Sequence, residues 1–94
     1  MNIEHIQENK AHGYFVATEN SVKAGTISYV MSGEKKLIIE HTIVNPSYEG
    51  HGLGKKLVFA VVNYARSNNL KILPVCTFAK AVFDKTPEIQ DVLF

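Results

Sequence analysis

Along the 94-residue chain the spacing of apolar positions changes from an extended rhythm to a helical one near residue 53. Gly13-Tyr14-Phe15-Val16-Ala17-Thr18 is dense in β-forming residues and ends in the turn cluster Glu19-Asn20-Ser21. From Ala24 to Met31, the positions Ile27, Tyr29 and Met31 alternate with Thr26, Ser28 and Val30, which predicts a second strand. Ser32-Gly33-Glu34 makes a tight connection to an extended apolar run, Leu37–Val44. Three strands joined by short turns predict an antiparallel meander. Asn45-Pro46 ends the third, because the residue before proline is held extended and proline cannot donate to a ladder. Ile3 and Ile6 do not alternate cleanly, so the first dozen residues fit a strand or a short helix equally.

Beyond the proline, Leu53, Leu57, Ala60, Val61, Tyr64 and Ala65 fall on one face of a helix, with Lys56, Asn63, Arg66 and Ser67 on the other. Asn68-Asn69 is its stop signal. Ile72-Leu73-Pro74-Val75 follows as a short strand. A strand reached through a helix predicts a parallel crossover. Pro74 removes a ladder donor, which suits a strand that parts from its neighbour. Phe78, Ala79, Val82 and Phe83 mark a second helix that ends before Pro87.

Composition narrows the function classes. The length suits one domain, residues 1–94, with a single modest core. A formal net charge of +1, with its lysines dispersed, argues against nucleic acid. The single cysteine, Cys76, excludes an internal disulfide and suits a reducing compartment. The start, Met1-Asn2-Ile3-Glu4-His5, has no signal-peptide pattern, and no apolar run is long enough to span a membrane. A cytoplasmic location is expected. His5, His12 and His51 lack ligand spacing with one another or with Cys76, so no metal site is expected.

The most informative stretch lies where strand gives way to helix: Glu49-Gly50-His51-Gly52-Leu53-Gly54, followed by Lys55 and Lys56. Glycines at alternate positions before a helix leave backbone N–H groups open at the positive end of the helix dipole, which is a receptor for phosphate. A dinucleotide-binding fingerprint requires Gly-x-Gly-x-x-Gly, but its last glycine falls on Lys55 or Leu57 here. A nucleotide P-loop requires four residues between glycines and then Lys-Ser/Thr. Gly50 and Gly54 enclose three, and Lys56 stands where the hydroxyl belongs.

A meander, a turn of the type Arg/Gln-x-x-Gly-x-Gly/Ala, a helix, a parted parallel strand and a second helix together resemble the GCN5-related N-acetyltransferase family. Gly52 and Gly54 match that turn, and Glu49 departs from it by standing in the Arg/Gln place. The family's later helix pattern Asn-x-x-Ala-x-x-x-Tyr is matched at Ala79, with Cys76 and Phe83 replacing asparagine and tyrosine. His41-Thr42-Ile43-Val44-Asn45-Pro46 and Leu73-Pro74-Val75-Cys76 are similar to a compact acetyltransferase-like subfamily. The resemblance covers almost all of residues 13–93. It implies a minimal α/β (α+β) fold of that family: antiparallel meander, glycine loop and helix, splayed parallel strand and C-terminal helix.

The implied cofactor is acetyl-coenzyme A. Its contacts are expected from Ile43 and Val44 at the strand end, Glu49, Gly50, His51, Gly52, Leu53, Gly54 and Lys55 in the loop, and Phe83 in the tyrosine place. The implied activity is N-acetylation of a primary amine, on a small molecule or a protein. The alternative is a coenzyme A-binding sensor or interaction module without turnover, favoured by Glu49, Phe83 and the short carboxyl end.

Acetyl transfer needs a held thioester, a polarised carbonyl, a deprotonated amine and a stabilised thiolate. Glu40 and His41 are neighbours in a strand and so face opposite sides. Histidine has the better unperturbed pKa for taking an amine proton, whereas glutamate needs a raised pKa or a bridging water. Each is equally readable as strand surface or packing. Cys76, between a strand and a helix N-terminus, is placed to have an activated thiol. It could protonate the leaving group, accept the acetyl itself, or orient the amine, the alternative being an inert packed cysteine.

Overall fold

The structure, a computed structural model, describes residues 1–94. Five strands form one sheet in sequential order: β1 (Asn2–Gln7), β2 (His12–Glu19), β3 (Val22–Ser32), β4 (Lys36–Val44) and β5 (Lys71–Pro74). The first four pair antiparallel and β5 pairs parallel to β4. Helix α1 (Leu53–Ser67) carries the crossover between them, and α2 (Thr77–Lys85) follows β5. The meander, the parallel crossover and both helices are as the residue pattern predicts.

The open question at the amino terminus resolves to a strand. Ile3 pairs with Ala17 and His5 with Phe15. The alternation toward the core is present but half of it is carried by a histidine. His5 stacks on Phe15, with ring centroids 4.3 Å apart, and its Nε2 lies 2.6 Å from the Tyr29 hydroxyl. That substitution of an aromatic polar ring for an aliphatic one is why the strand is hard to see in the sequence.

Both helices cover one face of the sheet. Nineteen buried apolar residues make a single core, in which Phe15, Ile27, Leu37 and Ile39 meet Leu57, Val58, Val61 and Val62 of α1 and Phe83 of α2. The buried face of α1 is Leu53, Gly54, Leu57, Val58, Val61, Val62 and Ala65. Ala60 and Tyr64, expected on that face, are half-buried at its margin. A 3₁₀ segment, Pro87–Val92, sends Ile89 and Val92 into the same core, and Leu93 bridges to Ile72 on the outer edge of β5. The opposite sheet face is uncovered, with Tyr14, Val16, Thr26 and Ser28 half-buried on it.

Two irregularities position the site. The β3–β4 register shifts so that Ser28 pairs with His41 and Tyr29 with Ile39, leaving Glu40 as the extra residue of a bulge. The bulge changes the parity of β4. Leu37 and Ile39 face the core before it, Thr42 and Val44 turn to the helix side after it, and His41 and Ile43 are exposed. The second irregularity is the end of β5. Pairing with β4 runs from Lys36↔Lys71 to Ile39↔Pro74 and stops, and the N–H groups of Val75 and Cys76 both donate to the Ile39 carbonyl at 3.1 Å. From there α2 leads the chain away, and β4 beyond Ile39 has an open side. No helix is long and apolar enough to cross a membrane.

Candidate active site

Asn45 is the first residue that builds the site. Its side chain accepts the Ser47 N–H at 3.0 Å and so caps a single 3₁₀ turn, Pro46–Tyr48, that carries the chain off the end of β4. The loop then reaches α1 through Gly50 (φ +83°) and Gly52 (φ +73°), conformations an L side chain rarely adopts. A β-carbon at either glycine would meet only open space. The backbone therefore requires these two glycines, and the space beside them stays free.

The loop N–H groups are correspondingly unengaged. Those of Gly50, His51 and Gly52 find no acceptor in the chain. Those of Leu53, Gly54 and Lys55 precede the first intrahelical bond of α1, from the Lys56 N–H to the Gly52 carbonyl at 3.1 Å. Gly52 is the helix N-cap and offers no side-chain oxygen to compete for them. Six consecutive donors at the positive end of a 15-residue helix suit an anion.

These donors border a groove of about 510 Å³ that runs between the start of α1 and the side of α2. Gly50, Gly52, Leu53, Gly54, Lys55, Glu49 and Val44, expected as contacts, all line it. So do Thr42, Tyr48, Phe78 and Val82, none of them among the expected contacts. Phe78 and Val82 are one helical turn apart, one position before Ala79 and Phe83. Phe83 itself is 1 % exposed and belongs to the core. It does not line the groove, because the phase of α2 turns 79 and 83 inward and 78 and 82 toward the opening. Ile43 also departs from the expectation, its side chain 65 % exposed on the opposite sheet face. His51 is exposed and lies outside the groove lining.

The polar groups at the strand end sort by direction. The Asn45 N–H donates to the Ala24 carbonyl on β3 at 2.8 Å. Antiparallel alternation turns the Ile43 N–H the same way and leaves those of Thr42 and Val44 toward the open side of β4. Of the two strand-end residues expected as contacts, Val44 is thus the one whose N–H faces the open side, with that of Thr42 beside it.

Cys76 closes this end. It is the N-cap of α2, half-buried, with Sγ 3.4 Å from Thr42 Oγ1. Burial pushes its thiol pKa up. Donors around the sulfur, the Thr42 hydroxyl and the N–H groups of Ala79, Phe78 and Thr42, outweigh burial and hold it below the usual thiol value. The sequence places Cys76 before a helix; Thr42 as its partner comes from the fold.

His41 and Glu40 stand elsewhere. His41 borders a shallow depression of about 260 Å³ on the uncovered face, with Tyr14, Lys23, Thr26 and Ser28. Glu40 sits half-buried in the bulge and makes no side-chain hydrogen bond. Neither is brought into the groove that holds the loop. No group of three or more His, Cys, Asp or Glu side chains is arranged to hold a metal ion.

The arrangement sets a groove beside a run of anion-suited backbone donors. Residues 13–92 match the family model described as GCN5-related N-acetyl-transferase. A solution structure from Staphylococcus aureus described as GCN5-like is 38 % identical, covers 99 % of this chain and 89 % of its own, and superposes with a TM-score of 0.71. The ribosomal-protein-S18-alanine N-acetyltransferase of Escherichia coli has a TM-score of 0.71 at 16 % identity, over 83 % of this chain and 53 % of its own. An aminoglycoside 6′-N-acetyltransferase solved with coenzyme A has a TM-score of 0.63 at 18 % identity, over 70 % of this chain and 38 % of its own. These last two share the fold, and the chain spans well under two thirds of their length. No curated protein matches the chain.

Proposed function

The chain belongs to the GCN5-related N-acetyltransferase family, and from that premise we propose that it is an N-acetyltransferase that takes the acetyl group of acetyl-coenzyme A to a primary amine. The observation that carries the reading is the run of six unengaged N–H groups, Gly50–Lys55, opening onto a groove that leads to Thr42, Val44 and the neighbourhood of Cys76. When bound, acetyl-coenzyme A supplies an acyl thioester, whose carbonyl carbon is open to attack by an amine.

The chain's own residues divide the work by position. The loop N–H groups and Lys55 hold pyrophosphate charge. Leu53, Val44, Phe78 and Val82 give the groove apolar walls, which keep water from its length. The Val44 N–H, on the open side of β4, can donate to a carbonyl oxygen lodged in the gap. Cys76 Sγ is the group at that gap able to hold and release a proton, its thiolate supported by Thr42 and the first N–H groups of α2. With Phe83 buried, the cysteine is the candidate for the acid role. His41 and Glu40 are the candidates for taking the amine proton, from the outer face and from the bulge.

The test is direct. The protein is incubated with acetyl-coenzyme A and a panel of polyamines, aminoglycosides and peptides with free amino termini or lysines. Mass gain is then read on each amine and on the protein. Acetylated amine with release of free coenzyme A is expected. Tight binding with no transfer to any amine would return the chain to the alternative of a coenzyme A-binding module.

A further inference from the structure

The groove that begins at the glycine loop has a closed end. Its lining residue on β4 farthest from the loop is Thr42. There the strand and the start of α2 meet, with Thr42 Oγ1 and Cys76 Sγ 3.4 Å apart. Behind that contact the N–H groups of Val75 and Cys76 both bond to the Ile39 carbonyl at 3.1 Å.

This end cannot retreat by turning one side chain. Two consecutive N–H groups on a single carbonyl hold the backbone at the start of α2 against β4. Ile39, Ile72 and Ala79 belong to the core and have no exposed surface, and Cys76 packs against that core. A close-packed interior of this kind yields poorly to added volume. The other way past Thr42 leads out of the protein. Ile43, on the outer sheet face, and Val75, just after β5, are 65 % and 61 % exposed and offer an acyl chain an open surface rather than a pocket.

A thioester whose phosphates lie on the loop meets this end with its acyl group. We infer that the contact between Thr42 and Cys76, backed by the paired bonds onto the Ile39 carbonyl, sets the length of acyl group the chain accepts, so that acetyl fits and longer acyl groups do not. One methylene more or less in an apolar site is enough for discrimination of this kind. The inference rests on the proposed coenzyme A reading and adds a specificity determinant to it. Thr42 thereby limits the acyl donor by its bulk, apart from its effect on the thiol.

Calorimetry with no amine acceptor present tests it. The probes are coenzyme A and its acetyl, propionyl and hexanoyl thioesters, against wild type, Thr42→Ala, Thr42→Ser and Cys76→Ala, each checked for folding by thermal unfolding. Wild type should bind propionyl-coenzyme A roughly tenfold more weakly than acetyl-coenzyme A, and hexanoyl-coenzyme A more weakly still. Thr42→Ala removes the hydroxyl and methyl from one side of the contact, and Cys76→Ala removes the sulfur from the other. Each should bring propionyl close to acetyl while leaving coenzyme A itself unchanged, so either variant suffices where the other is poorly folded. Thr42→Ser keeps the oxygen beside Sγ and should keep the wild-type order. A wild-type protein that binds the three thioesters equally, or hexanoyl most tightly, overturns the inference and leaves the proposed function standing. So does a wild-type order in the folded alanine variants, or a serine variant relaxed as alanine is. Failure of wild type to bind coenzyme A or any thioester overturns both.

Discussion

Gly54 and Phe78 compete for one space at the mouth of the groove: a β-carbon on Gly54 would lie 2.5 Å from Phe78 Cζ and 2.7 Å from Cε2. Gly54 is helical and buried, with no positive φ, so its missing side chain serves α2 rather than the backbone. The family's second loop glycine thus seats an aromatic wall here.

Replacing Gly54 with alanine should separate stability from binding. Alanine favours the helix over glycine by about 1 kcal/mol. The overlap falls on the ring of a residue that is 43 % exposed and free to swing. Melting temperature should hold or rise, while coenzyme A affinity falls several-fold as the ring is displaced in the groove. Adding Phe78→Leu should recover part of the loss. A Gly54→Ala protein with wild-type affinity would mean that Phe78 does not wall the ligand.

Gly52 poses the opposite problem, a free space with a constrained backbone at φ +73°. Valine there carries left-handed strain of about 1–2 kcal/mol, a loss of roughly 5–15 °C in melting temperature for a domain of this size. Asparagine visits that region readily and should stay near the wild-type value. Both side chains crowd the loop N–H groups and should weaken coenzyme A. Calorimetry on folded Gly52→Asn showing unchanged affinity removes the loop from the phosphate site.

Glu49 borders the groove as an exposed carboxylate, where the family turn has Arg or Gln. Like charge near a pyrophosphate is repulsive, so Glu49→Gln should tighten coenzyme A binding, with the gain shrinking as salt is added. Weaker binding would instead assign Glu49 to organising the loop.

Gly13 shows how the same overlap has another outcome when the neighbour is fixed. A β-carbon there would lie 2.5 Å from the Tyr29 hydroxyl oxygen, and Tyr29 is 2 % exposed, 2.6 Å from His5 Nε2 and against Phe15 and Tyr64. The ring has nowhere to go. Gly13→Ala should cost about 1–3 kcal/mol in denaturant unfolding, against little or none for Gly54→Ala. Equal stabilities for the two variants would refute this account of burial deciding the cost.

What was legible in the sequence followed from periodicity and from glycine and proline placement. The run Leu37–Val44, the loop at 49–54 and the face Leu53–Leu57–Val61–Ala65 each carry their own signal. What was hidden depends on register. Thr42 meets Cys76 only because the bulge at Glu40 turns Thr42 to the helix side, and no local pattern announces a one-residue slip. Phe78 and Phe83 are both aromatic positions of one short helix, and only the packing of α2 shows which faces the groove. A resemblance aligned by position selected Phe83; the helical phase selects Phe78.

The Cys76–Thr42 contact gives the sharpest chemical test. The Thr42 hydroxyl supports the thiolate at 3.4 Å, so Thr42→Val, similar in shape, should raise the thiol pKa and move the alkylation-rate profile to higher pH. Because the folded-state pKa lies below that of the unfolded thiol, stability gains as pH rises from the former to the latter, and Thr42→Val should flatten that gain. If Cys76 is the proton donor, Cys76→Ala keeps acetyl-coenzyme A binding and loses most transfer, since the missing step is chemical. Bound coenzyme A should also protect the thiol from alkylation. An inert packed cysteine gives a different set of results: lower thermal stability in Cys76→Ala, slow alkylation with or without ligand, and normal transfer. Equal transfer rates for wild type and a stable Cys76→Ala would end the acid role and leave Glu40 or His41, with solvent, to handle the protons.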